Sequence, residues 1–89
     1  MITKKIIVKG KVQGVFFRKF TMEKAAELGV TGTVKNLADL HTVEIIATGA
    51  DAQLVDFIEW CKKGPAKADV TAIEIIDQPL QEFKHFSIL

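Results

Sequence analysis

The stretch Val8-Lys9-Gly10-Lys11-Val12-Gln13-Gly14-Val15-Phe16-Phe17-Arg18 constrains the fold more than any other, because its hydrophobic period changes partway along. Ile6, Val8, Gly10 and Val12 share one face while Lys5, Lys9 and Lys11 share the other, the two-residue period of a half-buried strand. From Phe17 the apolar positions follow a helical spacing through Phe20, Ala25 and Leu28, and Gly29 supplies a C-terminal stop. A strand therefore passes into a helix through the short turn Gln13-Gly14-Val15-Phe16.

Such a turn leaves the N–H groups of the first helical turn without intrahelical partners, converging where the helix dipole favours an anion. Gly14 allows the backbone to curl around that point and a ligand to approach the main chain. Arg18, about one turn into the helix, can close a planar fork of donors over the same point. The dipole alone contributes roughly 0.3–1 kcal/mol, whereas each hydrogen bond to a charged group contributes roughly 1.5–3 kcal/mol. The amides of residues 13–18 and Arg18 are thus expected to dominate the affinity for an anion. A Gly before a helix can also be only a tight turn, and an Arg there only solvated. The stretch is not a Walker A loop, since the Gly-x4-Gly-Lys-Ser/Thr order is absent.

Eighty-nine residues with 48% hydrophobic content suit one small domain spanning residues 1–89. Twelve basic and eleven acidic residues leave a net charge of +1, which supplies no electrostatic footprint for nucleic acid or an anionic membrane. The start, Met1 to Lys5, lacks an apolar signal-peptide core, and no apolar run approaches the roughly 18 residues of a membrane span, so a cytoplasmic protein is expected. Cys61 is the one cysteine, has no disulfide partner and no companion for a structural zinc site, and falls on the core-facing side of the second helix.

The rest of the chain reads in order. Thr31 to Asn36 is expected as a second strand, Leu37 to His41 as a turn and Thr42 to Thr48 as a third strand, forming a hairpin. Asp51 is the expected N-cap of a helix in which Leu54, Phe57, Ile58 and Cys61 recur up to Lys63, with Gly64-Pro65 as its stop. A fourth strand is expected from about Asp69 to Ile76, a turn at Gln78-Pro79, and a short fifth strand from Phe83 to Ile88. The order β-α-β-β-α-β plus a short fifth strand is the α+β, ferredoxin-like split βαβ arrangement, with two helices on one face of a mainly antiparallel sheet. Right-handed crossovers give the spatial order 4-1-3-2 with the last strand at an edge, and the first and third strands are expected to lie parallel in the centre.

In that arrangement Asn36 closes the second strand near the loop that precedes the first helix. Asparagine there can simply form a turn. It can also hold a water molecule in line for attack beside a bound anion while staying uncharged.

Three blocks, Gly10-x-Val12-Gln13-Gly14-Val15-x-Phe17-Arg18, Gly32-x-Val34-Lys35-Asn36 and Gly64-Pro65-x-x-Ala68-x-Val70, resemble the acylphosphatase family in content, order and separation over nearly the whole chain. The resemblance implies a ferredoxin-like fold and hydrolysis of acyl phosphates to a carboxylate and inorganic phosphate without metal or cofactor. It places the phosphate cradle on the backbone of Gln13, Gly14, Val15, Phe16, Phe17 and Arg18, the phosphate-binding arginine on Arg18 and the water-positioning asparagine on Asn36. The partners it implies are a small acyl phosphate and inorganic phosphate as product and competitor, with no nucleic acid or membrane; a monomer is the simplest expectation. The alternative is a non-catalytic phosphate-binding or regulatory module of the same fold.

Two departures from the family pattern stand out. Thr33 occupies a position usually aromatic, and Leu40 stands where the hairpin normally has Gly, with Val43-Glu44 one residue late. A loop lacking its positive-φ glycine is expected to use another geometry, beginning next to Asn36. His41 and His85 are expected to face solvent, Lys35 to project from its strand, and Phe16, Phe17 and Phe20 to form the core and rim of the first helix.

Overall fold

The computed structural model describes all residues 1–89. Seven elements follow one another: β1 (Ile2–Lys11), α1 (Phe17–Leu28), β2 (Thr31–Asn36), β3 (Thr42–Gly49), α2 (Asp51–Lys63), β4 (Asp69–Gln78) and β5 (Phe86–Ile88). They form one sheet in the order β4-β1-β3-β2-β5. The order is the one expected, including the short edge strand, which begins at Phe86 rather than Phe83.

One expectation is corrected. β1 and β3 are neighbours but antiparallel, with Ile6 opposite Ile45 and Val8 opposite Val43. The crossover through α1 gives β2 the direction of β1, and the tight β2–β3 hairpin then reverses β3, which inserts between them. The parallel pair is β2 with β5, at the far edge.

The period-two face of β1 buries Ile6 and Val8 against Val43, Ile45 and Ala47 of β3 and Val34 of β2. The helices cover that face. Phe17 and Ala25 point inward from α1, and Leu54, Phe57 and Cys61 from α2. Phe17 meets Trp60 of α2 at 5.9 Å between ring centroids, and Phe57 meets Phe86 of β5 at 5.9 Å edge-on. Each fully buried aromatic or aliphatic side chain contributes roughly 1.5–3 kcal/mol, so these few residues lock both helices to the sheet. Cys61 is a core residue, and burial pushes its thiol pKa up, away from reactive thiolate. Thr21, not expected inside, is fully buried because its hydroxyl donates to the Phe17 carbonyl oxygen at 2.7 Å.

The N-cap of α2 also differs. Ala50, not Asp51, takes that position, and its N–H donates to Gln53 Oε1 at 2.8 Å. Gln53 reaches back to satisfy a donor, and Asp51 lies in the first turn, where its charge complements the dipole.

Four strand ends meet at one end of the sheet. Lys11 at the end of β1 pairs with Asp69 at the start of β4, Lys9 pairs with Thr42 at the start of β3, and Val43 pairs with Asn36 at the end of β2. The β1–β4 register slips between Lys9 and Gly10 in a β-bulge. Gly10 has φ +130°, and a Cβ there would lie 2.1 Å from the Asp69 carbonyl oxygen. Only glycine lets the two strands close at this point, immediately before the loop that enters α1.

Candidate functional site

The loop leaving β1 keeps its main-chain donors free. None of the N–H groups of residues 13–19 donates to a main-chain oxygen; the first helical bond runs from Phe20 N to Phe16 O at 3.1 Å. No side chain caps α1, and no acidic residue lies in its first turn. Phe16 holds the N-cap position at φ 61° and ψ 24°, left-handed and rare for an aromatic residue. That conformation costs roughly 1–2 kcal/mol for an L-residue. Gly14 has φ +73°, and a Cβ there would meet nothing within 4 Å, so the space above its backbone is open. Arg18 and Lys19 add two cations to a helix end whose dipole disfavours them by roughly 0.3–1 kcal/mol each. Free donors, a strained cap and misplaced cations oppose stability and share one compensation, an anion.

A pocket of about 270 Å³ opens at this point. Its wall includes Gly14, Phe16, Phe17, Arg18, Lys19 and Asn36. Arg18 is half-buried and its Nη1 donates to the Leu89 main-chain oxygen at 3.2 Å, which fixes the guanidinium at the end of β5. Asn36 reaches the same pocket from the end of β2, and its Oδ1 is buried with no hydrogen-bond partner. An unpaired buried acceptor costs roughly 1–3 kcal/mol, so Asn36 carries an unmet demand for a donor.

The remaining cradle residues are placed differently. The Val15 side chain is buried beneath the loop. The Gln13 side chain turns away from the pocket wall, and its Nε2 donates to both Leu37 O and Thr42 O at 2.9 Å. It ties the loop to both flanks of the β2–β3 turn, one residue beyond Asn36. Leu37 N donates to Thr42 O at 2.9 Å, closing the turn.

The hairpin holds a left-handed residue at the position where the glycine is missing. Leu40 itself takes φ +68°, the left-handed conformation glycine would have supplied, with its side chain exposed. Asp39 holds the turn: its Oδ1 accepts from His41 N at 3.0 Å and its Oδ2 from the Thr42 hydroxyl at 2.6 Å. The Thr42 hydroxyl, and then the His41 N–H, hold the Asp39 carboxyl below its ordinary pKa of 3.8.

His41 is exposed and lines a separate surface groove with Lys9, Lys11 and Gln13, away from the Asn36 pocket. Lys35 is exposed and absent from the pocket wall. Sequence reasoning missed three wall residues, the first of them Val12, which was read only as part of the inward face of β1. Lys19 was legible as the neighbour of Arg18 in the first turn, but Ile88 enters only through the parallel β2–β5 pairing, which no local pattern announces. No three His, Cys, Asp or Glu side chains cluster anywhere in the molecule, and no helix is long and apolar enough to cross a membrane.

The acylphosphatase family model matches residues 4–88. An acylphosphatase from Acaryochloris marina is 43% identical over 89 residues, covering 100% of this chain and 95% of that protein. One from Shewanella amazonensis is 46% identical over 84 residues, covering 93% of this chain and 91% of that protein. The crystal structure of acylphosphatase from Bacillus subtilis superimposes with a TM-score of 0.95 at 39% identity, covering 100% of this chain and 99% of that one. With a full-length family match and relatives of this identity, the chain belongs to the acylphosphatase family.

Proposed function

We propose that the pocket at the amino end of α1 is where this chain hydrolyses acyl phosphates, with Arg18 and the main-chain amides of residues 13–18 holding the phosphoryl group and Asn36 placing the water. The observation that carries the reading is that Asn36 lines the same pocket as Arg18 while its carboxamide Oδ1 has no hydrogen-bond partner in the protein. A water that donates one hydrogen to this oxygen keeps a lone pair free to attack phosphorus. A module that only stored phosphate would have no use for that acceptor.

The substrate bond is already activated, so the protein has only to neutralise the equatorial phosphoryl oxygens and position the nucleophile. The amides of the loop and the planar fork of Arg18 supply the neutralisation. The water oxygen forms a bond to phosphorus as the bond from phosphorus to the acyl oxygen breaks. The electron pair leaves on the carboxylate, and the water's proton passes to the phosphate. No side chain needs to titrate near neutrality. The ligands in this scheme are backbone, guanidinium and carboxamide, so the reading includes metal-independent turnover. It also includes a monomeric protein working in the cytoplasm.

The test is hydrolysis of benzoyl phosphate, followed by ultraviolet absorbance in the presence of excess chelator. Turnover is expected to persist, to be inhibited competitively by inorganic phosphate, and to be lost in both Arg18→Ala and Asn36→Ala. Phosphate binding is expected to be lost in Arg18→Ala and kept in Asn36→Ala. Chelator-sensitive turnover, or near-normal turnover in Asn36→Ala, would overturn the assignment.

A further inference from the structure

Lys19 lines the phosphate pocket but has no part in the chemistry set out above. It is the second cation of that wall, one residue beyond Arg18, and no carboxylate shares the wall with them. The two cations are held differently. Arg18 is half-buried, with Nη1 fixed on the Leu89 main-chain oxygen at 3.2 Å. Lys19 is exposed, and its ammonium has no ion-pair partner: the charged pairs of the molecule are Lys4–Asp77, Lys24–Glu27 and Lys62–Glu59. Glu23, four residues along α1 from Lys19, has the spacing of a helical ion pair, yet the two are not joined.

The two helices order their charges in opposite ways. In α2, Asp51 lies in the first turn and Lys62 and Lys63 in the last, the arrangement that the helix dipole favours. In α1 the first turn holds no acidic residue and the last turn no basic one, while Arg18 and Lys19 crowd the positive end of the dipole. Charge is thus set against helix stability only at the end that borders the pocket. The two cations also differ in what they can do there. A guanidinium locked in place can match the charge that develops on particular phosphoryl oxygens and so lower the barrier. A hydrated ammonium on a flexible stem acts through water on the net charge of the phosphoryl group, and attracts it almost equally before and during displacement. Equal attraction to ground state and transition state lowers KM and leaves kcat unchanged.

We propose that Lys19 is the capture residue of this pocket: its ammonium draws in the doubly charged phosphoryl group and sets KM and the affinity for inorganic phosphate, while kcat is left to Arg18 and Asn36. This rests on the reading of the phosphate pocket above and adds a residue with a separate role. A unit charge about 7 Å from a dianion in water changes its capture about five- to tenfold at low salt. Such an attraction is screened as the Debye length shrinks from about 30 Å at 0.01 M salt to about 3 Å at 1 M. A hydrogen-bonded, desolvated contact such as that expected of Arg18 is screened far less.

The experiment measures kcat and KM for benzoyl phosphate, the competitive inhibition constant of inorganic phosphate, and Tm in the wild-type protein, Lys19→Gln, Lys19→Glu and Lys19→Arg, at about 0.01 M and about 1 M potassium chloride. At low salt Lys19→Gln is expected to raise KM and the inhibition constant about five- to tenfold with kcat within about twofold, and Lys19→Glu to add a further loss of similar size. Lys19→Arg is expected to keep both constants near the wild-type values, and the differences among all four proteins are expected to collapse at high salt. Lys19→Glu places an acid where the dipole favours one, so its Tm is expected to rise by about 2–5 °C, giving a weaker phosphate site in a more stable protein. A fall in kcat at unchanged KM, a loss of equal size at both salt concentrations, a loss of binding that tracks a lower Tm, or no change in Lys19→Gln would overturn the capture role and leave Arg18 and Asn36 standing. A wild-type protein that neither hydrolyses benzoyl phosphate nor binds inorganic phosphate would overturn the reading of the pocket itself.

Discussion

The carboxamide of Gln13 donates to Thr42 O at 2.9 Å and to Leu37 O at 2.9 Å, clasping the turn that carries Asn36 to the loop that enters α1. The two halves of the proposed site come from segments more than twenty residues apart in sequence, and this one side chain spans them. The distance from the Asn36 carboxamide to the phosphoryl position therefore depends on a hydrogen-bonded strut.

Gln13→Ala removes the strut and leaves the main-chain amides in place. About 1 kcal/mol is expected for each hydrogen bond, so a loss of about 2 kcal/mol in stability is expected by urea denaturation. A positioning error of about 1 Å costs up to about 100-fold in rate, so kcat is expected to fall at least tenfold. Inhibition by inorganic phosphate, which reports the cradle, is expected to weaken far less. Equal losses in kcat and phosphate affinity would mean that Gln13 shapes the cradle itself.

Gly10→Ala tests the bulge beneath the site. Its Cβ would lie 2.1 Å from the Asp69 carbonyl oxygen and 2.9 Å from Thr71 N, both main-chain atoms that cannot rotate away. The β1–β4 pairing must open, and a loss of about 3 kcal/mol or more is expected, in the range of severe single substitutions. Hydrogen exchange of the β4 amides is the measurement, with loss of protection expected to begin at the Asp69 end.

These two residues also show where the sequence was legible. Gln13 and Gly10 were visible as members of a strand-turn-helix signature, but neither the strut nor the bulge was, because both depend on partners far along the chain. Elements set by local period were read correctly from Ile6, Val8 and Val12 in β1 and from Leu54, Phe57 and Cys61 in α2. The relative direction of β1 and β3 was misread, since period says nothing of strand sense and the hairpin reversal decides it. Arg18 and Asn36 were nameable because their chemistry suits an anion and a water. Their approach to one pocket, and the arrival of Ile88 beside them, follow from sheet order.

Leu40→Gly is expected to stabilise the protein. Leu40 holds φ +68° with an exposed side chain, a conformation costing roughly 1–2 kcal/mol for an L-residue. Glycine removes that strain and forfeits roughly 0.5–1 kcal/mol of chain entropy. The net gain is about 0.5–1 kcal/mol, or about 3–6 °C in Tm for a domain of this size. Differential scanning calorimetry decides it, and a lower Tm would show that the Leu40 side chain contributes contacts that outweigh its strain.

The hairpin should also respond to acid through Asp39. Its carboxylate accepts from the Thr42 hydroxyl and from His41 N, and these bonds lower its folded pKa below the ordinary 3.8. A carboxylate depressed in the folded state adds stability that is fully present above the unfolded pKa and disappears as pH falls through the lower folded value. The difference in stability between the wild-type protein and Asp39→Ala is therefore expected to stay constant from about pH 8 to about pH 5, and to shrink progressively below the ordinary carboxylate range. Chemical denaturation of both proteins across that range measures it. Because Thr42 also receives the Gln13 strut through its carbonyl oxygen, release of the turn should reach Asn36: the kcat of the wild-type protein is expected to decline over the same acid interval, with Asp39→Ala already reduced at neutral pH.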